Sequence, residues 1–447
     1  MPQGEEPGDF PWPAAIGPPR PLWQLLLAAP LAYNACTMGR AKPHPIRLAV
    51  ISHSCVIATN QIPWAQLAQE HPVELTLLAP RLWRSLRKGL VSLELWPGLE
   101  GRVRPMMVLP RGHPNIHLWF GLSSALGAIN PDVVFLDEEP YSLAAAQLLA
   151  WPGLRSTALV VYAKQNLLKR YPFPLSSVER RILARADALV AVDTAAREVL
   201  EAKGARRPIS IVPHAIDPDL YSPGDATDRR SQLGLRGFVV GYVGRLVPEK
   251  GVEDMLGAVA LLTQRARQRS SGTECSVLLV GEGPQREQLE AYAQAHLSGP
   301  STAPQVPVVF TGAVPHDQVA EYYRCMDVLV LPSRTASHWR EQFGRTIIEA
   351  LACGVPVIGS DSGAIPTTIG MTAGLVYPEG EVEPLASALE QVSEDARLRR
   401  ELAEQGRQKV LERFTHRAVA DALFEVIQKA LQVRSERAKG SAPAADK

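Results

Sequence analysis

Beyond residue 45 the chain alternates between two hydrophobic rhythms. Short, mainly apolar runs occur at Ile46 to Ser52, Val73 to Leu78, Val103 to Leu109, Val133 to Leu136, Ala158 to Tyr162, Ala188 to Val192 and Ile209 to Pro213. Runs of this kind fill strands of a sheet that is buried on both faces. Between them lie stretches of helical period, such as Ser142 to Ala150 and Ser176 to Arg185. Strand alternating with helix predicts a mostly parallel, doubly wound sheet over 46–213. Residues 214–236, rich in Pro, Gly and Asp, read as a linker. The strand-helix rhythm restarts at Phe238 to Val243 and defines a second domain over 237–380. Residues 381–433 read as helices, with Phe414 to Leu431 amphipathic, and 434–447 as a disordered tail.

Residues 1–45 share neither rhythm. Pro2, Pro7, Pro11, Pro13, Pro18, Pro19 and Pro21 crowd the start, which predicts a disordered arm. Leu22 to Ala35 is apolar but broken by Pro30, and is shorter than the ~20 residues that span a bilayer. It also lacks the basic start and clean cleavage site of a signal peptide.

Composition narrows the function classes. A net charge of +1 over 447 residues gives no sign of nucleic-acid binding. The five cysteines are scattered, in no spacing that suggests zinc, which suits a reducing cytoplasm. Charge is uneven, however: residues 46–213 carry 19 basic and 13 acidic side chains, a net +6. That leaves peripheral contact with an anionic or lipid surface open, against the plainer reading of a solvated face.

Two segments carry the chemistry. In the first, the apolar run Val328 to Ser333 precedes Glu341-Gln342-Phe343-Gly344-Arg345-Thr346-Ile347-Ile348-Glu349, which leads into a helix ended by Gly354 and Pro356. A strand, a loop and a helix N-terminus form the place where an open sheet receives an anion. Glu349, about one and a half turns into the helix, can accept hydrogen bonds from vicinal ribose hydroxyls. Glu341, on the loop, can reach sugar hydroxyls beyond the phosphates. In the second segment, the strand Phe238 to Val243 leads to Gly244-Arg245-Leu246-Val247-Pro248-Glu249-Lys250-Gly251. The glycines permit tight turns, and Arg245 and Lys250 bring a fork and a point charge suited to a diphosphate. Two acids eight apart, or two basic loop residues, are each common on a solvated surface.

Together with Leu278 to Pro284, Phe310-Thr311-Gly312, Asp327 to Ser333 and Ala352 to Ile358, these segments resemble the retaining glycosyltransferases of family 4, in the family's order over roughly 237 to 378. The resemblance implies the α/β GT-B fold: two Rossmann-like domains facing across a cleft, with a C-terminal helix crossing back to the first. It implies transfer of a hexosyl group from a UDP-, GDP- or ADP-sugar to an acceptor hydroxyl, with retention, no cofactor and no metal. The implied catalytic residues are Arg245, Lys250 and Glu341. The implied donor-binding residues are Gly244, Val314, Phe343, Gly344 and Glu349, with Val314 where the family's backbone holds the nucleobase. The leaving phosphate takes the acceptor's proton, and the sequence offers no better base.

The first domain departs from the family pattern. Where many relatives have a glycine pair after the first strand, this chain has His53-Ser54-Cys55-Val56; where many have a histidine after the strand Ala158 to Tyr162, it has Gln165. Gln165 can hydrogen-bond a hydroxyl but cannot titrate. His53, Glu138, Glu139, Gln165 and Asn166 are the acceptor-side candidates, each with a plain structural alternative. Lipid, polysaccharide and small metabolite all remain open as acceptor. A non-catalytic scaffold of the same fold is the main competitor. A dehydrogenase is disfavoured, because His53 to Asn60 contains no glycine.

Overall fold

The structure, a computed structural model, describes residues 44–85, 89–269, 274–298 and 305–440. All but the last two residues of the expected N-terminal arm, and the end of the expected tail, lie outside them.

Two parallel sheets organise the rest. The first contains, in spatial order, Ile209–Ile211, Ala188–Ala191, Ala158–Ala163, Val133–Leu136, Ile46–Ile51, Val73–Pro80 and Val103–Met106. The second runs Val308–Gly312, Cys275–Val280, Phe238–Val243, Val328–Leu331, Val357–Ser360 and Gly374–Tyr377. Each sheet reverses its order beside its first strand. The reversal lies between Ile46–Ile51 and Val133–Leu136 in the first, and between Phe238–Val243 and Val328–Leu331 in the second. Loops part at such a reversal and leave a crevice at the carboxyl ends of the strands. Val133–Leu136, Ala158–Ala163 and Phe238–Val243 are buried at every position, as a sheet covered on both faces requires.

The chain crosses between the domains twice, and the crossings are joined. The Ile216 amide donates to the Phe414 carbonyl at 2.8 Å, and Ile216 and Thr415 form a parallel bridge. Helix Ala396–Arg413 packs on the second domain, against helix Arg345–Ala352. Helix His416–Gly440 packs on the first, against Ile62–Glu70 and the strands Ala158–Ala163 and Ala188–Ala191.

Three expectations need correction. The expected strand Val103 to Leu109 is two. Val103–Met106 forms the sheet edge, and Val108–Leu109 leaves it to pair antiparallel with Leu118–Trp119. Pro105 lacks an N–H for the ladder, which confines its strand to an edge. Next, the last helix persists through the stretch expected to fray, as far as Gly440. Arg434 donates to the Arg155 carbonyl and Arg437 lies 3.2 Å from the buried Asp187 carboxylate, so its end is tied to the first domain. Finally, the linker segment 214–236 holds a short helix, Thr227–Gln232, and buries Ile216 and Tyr221. No helix among the described residues is long and apolar enough to cross a membrane.

Candidate active site

The donor-side candidates converge. Gly244, Arg245, Lys250, Val314, Glu341, Phe343, Gly344 and Glu349 all line one cavity of about 710 Å³ at the reversal of the second sheet. Local sequence explains the placement. Gly251, at φ +60°, ends the single turn Pro248–Lys250, and a Cβ there would meet the Pro332 carbonyl oxygen at 2.0 Å. Only glycine lets these two strand-end loops touch. That contact brings Lys250 to the loop carrying Glu341. Lys250 Nζ lies 2.5 Å from Glu341 Oε2 and 4.8 Å above the Trp339 ring. Ser333 Oγ donates to the same Glu341 oxygen at 3.1 Å. Arg245 is freer: its side chain is 55% exposed and its guanidinium lies 4.0 Å from Glu249.

Gly344, at φ +70°, caps the helix Arg345–Ala352. The helix carries Glu349 inward, where its carboxylate is buried and accepts from the Tyr323 hydroxyl at 2.8 Å. Phe343 is buried too: its ring packs edge-on against His214 at 5.2 Å, and its carbonyl accepts from Thr368 Oγ1 at 2.9 Å.

The acceptor-side candidates separate. His53, Glu138, Glu139 and Gln165 line a cavity of about 220 Å³ at the reversal of the first sheet, together with Asp137, Tyr141, Tyr162 and Lys164. Asn166 does not join them. It is buried at the domain interface, where its Nδ2 donates to the Glu341 carbonyl at 3.1 Å and Arg340 donates to its own carbonyl. Its expected acceptor role is therefore corrected to a link between the two domains.

Glu138 is also corrected. Expected to offer oxygens to an acceptor, it spends both on His53: Oε1 accepts the backbone N–H at 2.8 Å, and Oε2 lies 2.6 Å from Nδ1. His117 Nε2 lies 3.6 Å from Oε1 on the other side. Burial opposes the charge on Glu138, but the His53 and His117 imidazoles outweigh it and hold the carboxyl well below its usual range. Glu139 has no such partners. Burial pushes it up to about 7, although the Lys164 amide donates to its Oε1 at 2.9 Å.

A third cavity, of about 440 Å³, lies beside both. It shares Asp137, Tyr162 and Lys164 with the first-domain cavity, and His214, His316 and Arg345 with the donor-side one. Lys164, 2.7 Å from Asp137, and His214 were missed by sequence reasoning. Each sits beside a strand end, but no spacing marked either. Among the described residues, the one cluster with metal-ligand spacing is His53, His117 and Glu138.

The model for glycosyl transferases group 1 matches residues 225–409, and that for glycosyltransferase family 4 matches residues 64–220. A 2-deoxystreptamine glucosyltransferase from Streptomyces kanamyceticus is 32% identical over 329 residues, 71% of this chain and 77% of that protein. The chain belongs to the family 4 glycosyltransferases. Another relative of this glycosyltransferase, a D-inositol 3-phosphate glycosyltransferase from Stackebrandtia nassauensis, is 30% identical over 269 residues, 59% of each chain.

Solved structures share the GT-B fold at lower identity. HepE from Anabaena in complex with UDP has a TM-score of 0.63 at 18% identity, covering 85% of this chain and 99% of that one. Sucrose-phosphate synthase from Thermosynechococcus elongatus has a TM-score of 0.60 at 20% identity, covering 86% and 99%.

Proposed function

We propose that this glycosyltransferase moves a hexosyl group from a nucleoside-diphosphate sugar to a hydroxyl of a compact polar acceptor, with retention and without a metal ion. The carrying observation is the convergence of three cations, Arg245, Lys250 and Arg345, the buried carboxylates Glu341 and Glu349, and a helix N-terminus on one cavity. Glu349 holds the ribose. Arg245, Lys250 and the N–H groups at Phe343-Gly344 take the diphosphate. As the bond from anomeric carbon to phosphate breaks, charge grows on the leaving oxygen. Each cation stabilises it by about 3 kcal/mol, the scale of one removed electrostatic donor. Glu341, paired with Lys250 before substrate arrives, orients the sugar hydroxyls. The chain's own cations thus supply the charge that a divalent ion supplies elsewhere.

The acceptor enters through the connecting cavity. Relatives named for 2-deoxystreptamine and inositol 3-phosphate support a small ring polyol rather than a polymer. The buried, unpaired thiols Cys55, Cys275, Cys325 and Cys353 suit work in a reducing cytoplasm.

The test is thermal stability with UDP, GDP, ADP and NAD, first without metal and then with magnesium. A ligand at about 100 times its Kd adds ~2.7 kcal/mol, a readable shift. Stabilisation by one nucleoside diphosphate without magnesium is expected. A shift that needs magnesium would refute metal independence, and no shift with any nucleotide would favour a non-catalytic scaffold.

A further inference from the structure

An antiparallel pair that faces water on one side carries polar residues on that side. The hairpin of Val108–Leu109 and Leu118–Trp119 does not. Val108 and Trp119 pair on its inner face and are buried. Met107, Leu109, Leu118 and Phe120 alternate with them and are 40–52% exposed. Ile116, in the connecting loop, is 45% exposed. Five exposed large apolar side chains thus lie within residues 107–120, a concentration found nowhere else among the described residues. An apolar patch of this kind with a polar rim marks an interaction surface.

The rim is basic. Residues 101–131 contain Arg102, Arg104 and Arg111, all exposed, and no acid. Arg84 joins them: Gly112, at the bend of the hairpin, abuts it so closely that a Cβ would meet the Arg84 carbonyl oxygen at 2.7 Å. A second segment repeats the pattern. Leu168, Lys169, Arg170 and Phe173 are exposed, Phe173 by 82%, and residues 164–178 contain no acid. Both segments border the first-domain cavity, the hairpin through Pro114 and Asn115 and the second through Lys164 and Gln165.

The chemistry of the face selects among occupants. A second copy of the chain would set the patch against itself across a two-fold axis, arginines against arginines. Five half-exposed side chains also fall short of the ~800 Å² per partner that a stable protein interface buries. A protein anchor needs a pocket to fill, and none of the five side chains lines a cavity among the described residues. A bilayer surface asks for neither area nor pocket: apolar side chains enter the headgroup boundary, and basic ones meet the lipid phosphates.

We propose that the hairpin face of residues 107–120 docks on a bilayer surface that carries anionic headgroups. Met107, Leu109, Ile116, Leu118 and Phe120 enter the headgroup boundary, and Arg84, Arg102, Arg104 and Arg111 rest on the phosphates. Because Pro114 and Asn115 belong to both the hairpin loop and the cavity wall, docking keeps the first-domain cavity close to the lipid. The inference is independent of the transfer reading, since the surface docks whichever reaction follows.

Cosedimentation of the full chain with vesicles tests this, using phosphatidylcholine with and without phosphatidylglycerol, at low and high salt. Binding should need phosphatidylglycerol and weaken with salt. Leu118→Ser/Phe120→Ser should weaken it at least about tenfold. Arg104→Ser/Arg111→Ser should weaken it about thirtyfold through the loss of two charges. All four positions are exposed, so both variants should keep the native melting temperature. A native protein that ignores the mixed vesicles, or variants that bind them as it does, overturns the proposal. Equally tight binding to soluble polyglutamate would assign the face to an acidic protein and overturn it too. Sedimentation equilibrium covers the remaining occupant: a dimer that Leu118→Ser/Phe120→Ser dissociates would give the face to a second copy, against the proposal.

Discussion

Glu349→Ala probes the donor cavity most directly. The carboxylate is 5% exposed, and its hydrogen bond comes from the Tyr323 hydroxyl. Of the donor-side cations, Lys250 is paired with Glu341 and Arg245 lies 4.0 Å from Glu249. A carboxylate offers about four lone-pair sites, so one neighbour leaves room for both hydroxyls of a ribose. Hydrogen bonds to a charged group contribute about 1.5–3 kcal/mol each, and exchange with water favours the lower end. Two of them give about 3 kcal/mol, or roughly a hundredfold in Kd at ~1.4 kcal/mol per decade.

Calorimetry with UDP reads this effect, and 2′-deoxy-UDP divides it. The deoxy ligand should bind the native protein about tenfold more weakly and lose less on mutation, because one hydroxyl is already gone. Removing the acid also strands a buried hydroxyl, at a cost of about 1–3 kcal/mol in stability. Tyr323→Phe is therefore the control. It keeps the carboxylate and should keep UDP affinity within about threefold, less than one decade. A folded Glu349→Ala protein that binds UDP as the native does would refute the ribose assignment.

The double variant Arg245→Ala/Lys250→Ala should lose several orders of magnitude in kcat, about 10² to 10³ per removed donor, while its preference among nucleobases stays the same. Steady-state kinetics with paired donors checks this, and near-normal turnover would sink the diphosphate role. Acid should destabilise the fold early. Burial lowers His214 from 6.5 to about 3 and His416 from 6.5 to about 4. Both are neutral when folded, and the unfolded chain takes up their protons first. The stability these two histidines contribute is then full above about pH 6.5 and declines from there toward pH 4, with His214 extending the loss to about 3, while Glu139, raised to about 7, acts in the opposite direction. Denaturant melts of the native protein and of a His214→Gln/His416→Gln variant across that window provide the measurement, and the same pH slope in both would show that both imidazoles reach solvent in the folded state.

The cavity proposed for the donor was legible in the sequence because its marks are local. Gly244, Gly251 and Gly344 mark turns beside apolar runs, and the side chains that matter follow within a few positions. Parallel packing places both segments at the same edge, and they meet because Phe238–Val243 and Val328–Leu331 are neighbours in the sheet. The acceptor side was legible only as a set of names. His53 and Glu138 were each visible at a strand end, yet their pairing depends on Ile46–Ile51 and Val133–Leu136 being neighbours in the sheet. No local periodicity encodes strand order. Asn166 was misjudged for the same reason, since its partner Glu341 is 175 positions away on the other domain. The persistence of the last helix was hidden likewise, because the anchors of Arg434 and Arg437 are supplied by the first domain.

The bridge between Ile216 and Thr415 has a mechanical meaning. A single crossing would act as a tether and let the domains swing in any direction. Two crossings pinned to each other hold the domains at one point, and the bonds of Asn166 to Arg340 and Glu341 hold them at a second, so the domains are clamped at both places, with the helix His416–Gly440 lying along the first as the arm of the clamp.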